Sequence, residues 1–197
     1  NAFTGAPELR ELYLHHNALG TRAVDLLQGM LKSPKVELLD FSNCGMSVEV
    51  VQTLLDIFEQ SWHRLRVLRM GRNQMGSQGA ALLGSKLPLM TSLREFSYPG
   101  SRPLKDGTAA LVQGLREQVL EHGVQLTVLD LDDCDLGTGE EDEDAVHVLA
   151  KVLEGSQSLK TLIVNGCGLE ANGVEIVLEA VQNSEMRLET LGLEGND

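Results

Sequence analysis

The chain has 197 residues, of which 42% are hydrophobic and only 4% aromatic, and its formal net charge is −13. A surface this negative repels nucleic acid and anionic membranes, so we expect neither as a partner and favour a protein with a basic surface. The sequence contains no apolar run long enough to cross a bilayer, so we expect no membrane-spanning segment.

One pattern of apolar residues recurs along the chain. Its first copy has leucine at positions 9, 12, 14 and 19 and asparagine at 17. The later copies begin at Val36, Leu65, Leu93, Leu126, Leu159 and Leu188. The pattern L-x-x-L-x-L-x-x-N/C-x-L at this period is the leucine-rich-repeat signature. It predicts an α/β solenoid, a horseshoe with a concave parallel β-sheet and convex α-helices, and we treat residues 1–197 as a single domain of about seven repeats.

Each repeat is expected to begin with a short strand. In the first repeat, Leu12 and Leu14 alternate with Glu11, Tyr13 and His15. Since side chains alternate across a strand, the leucines should face the core and the other three side chains the concave surface. Apolar residues at helical spacing follow the turn, which predicts a helix after each strand.

The three cysteines, Cys44, Cys134 and Cys167, stand eight residues after the first apolar residue of their repeats. Asn17 and Asn73 occupy the same position in other copies, where the side chain is expected to bond the backbone of the turn. We therefore predict buried, unpaired and metal-free cysteines. Free thiols favour a reducing compartment, so we expect a cytoplasmic, intracellular protein.

Two repeats depart from the common period. The fourth contains a surplus of residues at about 116–125, which we expect to add about one helical turn. The fifth contains the extension 137–144 between its strand and its helix, and this extension ends in five consecutive acidic residues. Specific binding by a solenoid is often located where its repeats are irregular.

The candidate partner-binding residues follow from these patterns and from the expected concave face. They are Tyr13, His15, His16, Arg69, Arg72, Asp130, Asp132, Asp133, Asp135, Glu140, Glu141 and Asp142. Arg69 and Arg72 together predict a small positively charged site, the basic point. The four aspartates predict an acidic patch together with the acidic run that ends the extension 137–144. The patch is either a docking site for lysine and arginine or a solvated loop that keeps the solenoid soluble. A calcium loop is disfavoured because the glycine and terminal glutamate of such loops are missing.

The sequence shows none of the common catalytic signatures. It lacks the phosphate-binding glycine loops, the hydrolase elbow and the zinc-protease helix motif. We therefore expect no catalytic site, cofactor or metal of its own.

The segment 12–20, which reads L-Y-L-H-H-N-A-L-G, and the repeat length resemble the ribonuclease-inhibitor-like class of leucine-rich repeats. That class includes Ran GTPase-activating protein, ribonuclease inhibitor and the repeat domains of NOD-like receptors. Segment 12–20 is most similar to Ran GTPase-activating proteins, and residues 102–107 show a weaker resemblance to the same family. The resemblance implies GTPase activation, with the family's functional asparagine aligned on His16. It implies no arginine finger, and hence no such role for Arg69 or Arg72.

Three functions are consistent with these observations. The first is a protein-interaction scaffold that binds a basic protein surface through its concave face and acidic rim. The second is a Ran-type regulator of a small GTPase, or a fragment of one, and the third is a leucine-rich-repeat sensor domain. Neither end of the chain resembles a polar cap, so we expect a fragment of a longer array or self-association through Leu9, Leu12, Leu191 and Leu193.

Overall fold

The computed structural model describes residues 8–31, 35–59 and 61–197. Each predicted repeat forms a strand of three residues. The strands are β1 (Glu11–Tyr13), β2 (Leu38–Asp40), β3 (Val67–Arg69), β4 (Glu95–Ser97), β5 (Val128–Asp130), β6 (Thr161–Ile163) and β7 (Thr190–Gly192). The helices are α1 (Thr21–Leu31), α2 (Val48–Ile57), α3 (Gly76–Lys86), α4 (Lys105–Arg116), α5 (Ala145–Glu154) and α6 (Glu170–Asn183).

The seven strands form one parallel sheet in chain order. Parallel neighbours need a crossover between them, and one helix supplies each crossover here. The register joins equivalent repeat positions, so that Leu12 lies beside Leu39 and Leu39 beside Leu68. The α/β arrangement predicted from the repeats is therefore confirmed.

The core lies between the sheet and the helices. The central residue of each strand from β1 to β6 is buried, while most of their flanking residues are partly exposed, as period-two alternation requires. From the helix side, Val51, Leu54 and Phe58 pack into the same layer. No single repeat can bury its apolar face alone, so this core is continuous through the stack.

Cysteine, asparagine and serine share one turn position, which is buried in every repeat after the first. Cys44, Cys134 and Cys167 are buried and form no disulfide. The Sγ of Cys167 lies 3.2 Å from the carbonyl oxygen of Leu131 in the preceding repeat, and burial raises the pKa of this thiol to about 12. The fourth repeat places Ser101 at this position, and its Oγ accepts the Asn73 N–H at 3.4 Å. The sequence pattern did not reveal this substitution.

The residue immediately before that position adopts a left-handed backbone in every repeat. These residues are His16, Asn43, Arg72, Gly100, Asp133, Gly166 and Gly195, with φ between 53° and 61° for the first four and between 59° and 65° for the last three. Side chains at this position therefore leave the turns at equivalent points along the carboxyl edge of the sheet. Three of the predicted site residues, His16, Arg72 and Asp133, lie at this position.

The surplus of the fourth repeat is an additional helical turn, as predicted. It continues α4 as the π-helical turn Glu117–Glu121. Gln118 in this turn is buried, and its Nε2 donates to the carbonyl oxygens of Leu87 and Met90 at 2.9 and 3.0 Å. The extra turn thus forms hydrogen bonds with the end of the third repeat. The departure of the fourth repeat from the common length therefore has a structural role.

The expected apolar ends are exposed only in part. Leu12 has 8% of its surface exposed and belongs to the core, so its inclusion in an exposed end face was wrong. Leu191 in β7 is 37% exposed. The prediction that the amino-terminal end lacks a polar cap falls on the residues before Glu8, which lie outside the described part of the chain.

Candidate functional site

Equivalent positions of the strands form a row across the concave face. The register joins Tyr13, Asp40, Arg69, Ser97, Asp130 and Ile163 in this order. Residues that are 26 to 33 positions apart in the sequence therefore lie side by side. The row is therefore built from neighbouring repeats, each of which contributes one of these positions.

The first repeat presents an aromatic cluster. The Tyr13 ring is 47% exposed, and its hydroxyl donates to Glu11 at 3.1 Å, which raises the Tyr13 pKa. The His15 ring meets the rings of Tyr13 and His16 edge-on at centroid distances of 6.5 and 5.3 Å. His16 Nδ1 lies 2.8 Å from the Asn43 amide nitrogen. The structure thus brings the three predicted residues of this repeat together on an accessible surface.

The predicted basic point of Arg69 and Arg72 is corrected by the structure. Arg69 lies between two carboxylates: its Nε donates to Glu95 at 2.5 Å, and its Nη1 lies 3.5 Å from Asp40. The hydrogen bond to Glu95 raises the Arg69 pKa. Arg72 instead lies on the turn that follows β3. The two carboxylates come from the two neighbouring repeats, and together they more than offset the positive charge of Arg69.

The carboxylate of Asp130 forms hydrogen bonds with its neighbours on the sheet surface. Its carboxylate accepts the Ser97 hydroxyl at 3.0 Å and the Asp132 N–H at 3.2 Å. Burial raises the pKa of Asp130. A partner would therefore have to compete with internal hydrogen bonds at this carboxylate. Of the other predicted aspartates, Asp135 is exposed, and Asp132 and Asp133 are partly exposed.

The acidic extension of the fifth repeat is folded, and one of its five acids is internal. Asp144 precedes α5, has 2% of its surface exposed, and accepts the N–H groups of Gly139 and Glu141 at 2.9 and 3.4 Å. Lys105 Nζ lies 2.8 Å from Asp144 Oδ1 and also contacts Glu141. Of the five acids, Asp144 therefore anchors the loop and Glu141, one of the predicted site residues, is paired with Lys105.

Five of the predicted site residues form what we call the acidic rim: Asp132, Asp133, Asp135, Glu140 and Asp142. All five follow β5, in its turn or in the extension. Arg102 approaches Asp133 at 4.0 Å. Within the described residues, no lysine or arginine forms an ion pair with the other four. The rim therefore carries negative charge that the fold itself does not balance.

Neutralising Asp144 is expected to loosen the extension. Burial opposes ionisation of Asp144, but the bonds from Lys105, Gly139 and Glu141 together lower its pKa. At pH 7, Asp144→Asn should reduce the free energy of unfolding by about 2 kcal/mol, since bonds to a charged group are lost. A depressed carboxyl pKa stabilises the fold above the unfolded-state pKa of about 4, and this contribution is lost as pH falls through the lower folded-state pKa.

Urea unfolding from pH 7 to pH 3 tests this prediction. The difference between wild type and Asp144→Asn should shrink as the pH falls below about 4. Asp142→Asn is the matched control, because Asp142 lies in the same loop, is exposed and forms no ion pair among the described residues. Equal stability of Asp144→Asn and wild type at pH 7 would show that the Lys105–Asp144 contact does not hold the loop.

Two features are absent from the described residues. No group of three or more histidine, cysteine, aspartate or glutamate side chains converges in a way that could hold a metal ion. Within the same ranges, no helix has both the length and the apolar character needed to cross a membrane.

Comparison with known proteins supports the fold. The chain is 27% identical to the ribonuclease inhibitors of Sus scrofa and Mus musculus over 98% of its length, and it spans 35% of each. It is also 27% identical, over 95% of its length, to NACHT, LRR and PYD domains-containing protein 12 of Homo sapiens, of which it spans 20%. The chain is a leucine-rich-repeat solenoid. The narrower likeness to Ran GTPase-activating protein stays a hypothesis.

A solved structure agrees with this fold class. The tropomodulin C-terminal domain of Caenorhabditis elegans matches with a TM-score of 0.51 and 17% identity, over 90% of this chain and 85% of that one. At this identity the likeness concerns the fold alone. No family model matches the chain.

Proposed function

We propose that this protein is an interaction scaffold that binds a basic protein surface through its concave face and its acidic rim. The observation that carries the proposal is the unbalanced charge of the rim beside a sheet whose one arginine, Arg69, already contacts Asp40 and Glu95. Because the fold holds the rim in place, a partner would order few side chains on binding. Ribonuclease inhibitor, a relative that this chain matches over part of its length, is named for acting on a protein.

The contacts of each residue suggest its role. Asp132, Glu140 and Asp142 would attract lysine or arginine, and salt would screen this attraction over a Debye length of about 10 Å at 0.1 M ionic strength. Tyr13 and His15 would supply an apolar and hydrogen-bonding contact at the other end of the concave face. Asp40, Arg69, Glu95 and Asp130 would hold the sheet surface in shape.

Charge reversal of the rim tests the proposal. Asp132→Lys, Glu140→Lys and Asp142→Lys are combined in one variant, because these side chains make no hydrogen bond or ion pair that the fold needs. We expect partner capture from lysate to fall at least about tenfold, and capture by the wild type to weaken as salt rises. The captured protein should carry a basic surface.

The matched control reverses three exposed acids on the convex helices, namely Glu154, Glu175 and Glu179. This variant has the same net charge as the rim variant, so it separates a local effect from a global one. Equal capture by the wild type, the rim variant and the control would mean that the rim only keeps the solenoid soluble.

The narrower alternative is a Ran-type GTPase activator. It rests on segment 12–20 and on the alignment of His16 with the family's functional asparagine. His16 has a left-handed backbone with φ of 61°, a conformation in which asparagine is favourable. If the alternative holds, this chain should accelerate GTP hydrolysis by Ran, and His16→Asn should increase the effect. Unchanged hydrolysis with both forms would exclude it.

Localisation in the cytoplasm is part of the same proposal. Buried, unpaired thiols are expected where the compartment keeps cysteines reduced. Fractionation of cells that express the tagged protein would check it, and recovery in the secreted fraction would contradict it.

A further inference from the structure

The first repeat presents one carboxylate and one aromatic ring together on the concave face. Glu11 and Tyr13 are the first and last residues of β1, and both are exposed. The Tyr13 hydroxyl donates to the Glu11 carboxylate at 3.1 Å, so the carboxylate stands at the hydroxyl end of the ring. We call this pair the Glu–Tyr corner. The hydrogen bond restrains both side chains before any ligand arrives.

Apolar side chains lie beside the Glu–Tyr corner. In the register of the sheet, Leu38 lies next to Glu11, and Val67 lies next to Leu38. Leu38 and Val67 are both partly exposed. The His15 ring meets the Tyr13 ring at an angle of 85°. The surface around the corner can therefore accommodate an aliphatic chain that ends in a charged group.

An internal pair at an equivalent strand position shows what this surface can hold. Glu95 is the first residue of β4, as Glu11 is the first residue of β1. The guanidinium group of Arg69 donates to Glu95 at 2.5 Å. Among the described residues, no lysine or arginine forms an ion pair with Glu11. Glu11 therefore offers the same kind of acceptor as Glu95, but without an internal guanidinium group.

We propose that the Glu–Tyr corner binds an arginine side chain of the protein partner. The guanidinium group would lie on the face of the Tyr13 ring and donate to Glu11, while its methylene chain would lie along Leu38. Arginine is preferred to lysine because a planar guanidinium group can stack on a ring while it donates hydrogen bonds. The ammonium group of lysine is more strongly hydrated and does not stack.

This inference deepens the scaffold function proposed above and rests on it, since it names one side chain of the basic partner. The corner belongs to the first repeat, whereas the acidic rim belongs to the fifth. A small arginine probe reports on the corner without the partner. Failure of the corner can therefore be told apart from failure of the scaffold function, which partner capture measures.

The test is an NMR titration of the full 197-residue chain with N-acetyl-arginine methylamide at constant ionic strength. Saturable shifts are expected at the Tyr13 ring protons and at the amides of Glu11 and Tyr13. Tyr13→Leu removes the aromatic face and Glu11→Gln removes the charge, so each should weaken binding at least about threefold. N-acetyl-lysine methylamide should bind at least about threefold more weakly than the arginine probe.

Glu194→Gln is the matched control. Glu194 is exposed and follows β7 at the other end of the sheet. Its side chain forms no hydrogen bond or ion pair with another residue that the structure describes. This substitution removes the same charge from the chain as Glu11→Gln, and it should leave binding at the corner unchanged.

Three results would overturn the proposal. The first is an absence of saturable shifts at Tyr13, or shifts confined to the acidic rim. The second is an affinity that Glu11→Gln or Tyr13→Leu leaves unchanged. The third is equal binding of the lysine probe, which would show that the corner attracts any cation.

Discussion

Asn73→Ala is expected to lower the free energy of unfolding by about 3 kcal/mol. The Asn73 side chain is buried and joins two repeats. Its Oδ1 accepts the N–H groups of Cys44 and Met46 at 3.0 and 3.2 Å, and its Nδ2 donates to the carbonyls of Phe41 and Met70 at 3.0 and 2.8 Å. Alanine would leave at least two of these backbone groups without a partner, each at a cost of about 1–3 kcal/mol.

Asn17→Ala supplies the matched control for Asn73. Asn17 occupies the same repeat position but is exposed, and its amide donates to the carbonyls of Leu14 and His15 within its own repeat. Its loss should therefore cost less than about 1 kcal/mol, because water can replace the amide. Chemical denaturation of both variants measures how much free energy of unfolding each one loses. Equal losses would show that hydrogen bonds between repeats add no stability at this position.

Gly114→Ala is expected to destabilise the fold by about 3 kcal/mol, since α3 and α4 touch through their backbones. A Cβ at Gly114 would lie 2.1 Å from the carbonyl oxygen and 2.9 Å from the Cα of Gly84. A flexible side chain could move aside, but the backbone of a helix cannot. The two helices would have to separate and open the core that they cover.

Thermal and urea unfolding of Gly114→Ala should be compared with those of Gly20→Ala. No atom lies within 4 Å of a Cβ at Gly20, so this control should change stability by less than about 0.5 kcal/mol. If Gly114→Ala and Gly20→Ala had the same free energy of unfolding, the close approach of α3 and α4 would be refuted.

Much of the architecture was predictable because repeat periodicity is a local property of the sequence. The leucines at positions 12, 68, 129 and 162 marked the buried centres of their strands, and the surplus after Leu115 correctly indicated an extra turn. Ser101 was missed because serine does not belong to the N/C pattern, although its position eight residues after Leu93 marked it. The left-handed residues were missed because His16, Arg72 and Asp133 carry no glycine signal.

The candidate site was predicted less completely. The sequence named Tyr13, His15 and His16 as separate candidates, and it did not show that their rings meet in one cluster. It could not show that Arg69 lies between Asp40 and Glu95, or that Lys105 holds Asp144. It also gave no sign of the groove of about 320 Å³ that Arg10, Glu37 and Arg66 line together, because these residues come from three different repeats.

By itself, the sequence determined the fold class, the register and the faces of the strands, because the spacing of apolar residues decides which side chains can be buried together. Only the tertiary structure decided which charges are available to a partner. Stacking places residues about one repeat apart within hydrogen-bonding distance, and each such contact depends on the side chains of two adjacent repeats at once. A carboxylate beside lysine or arginine becomes part of the fold, whereas the same carboxylate without one stays accessible at the surface.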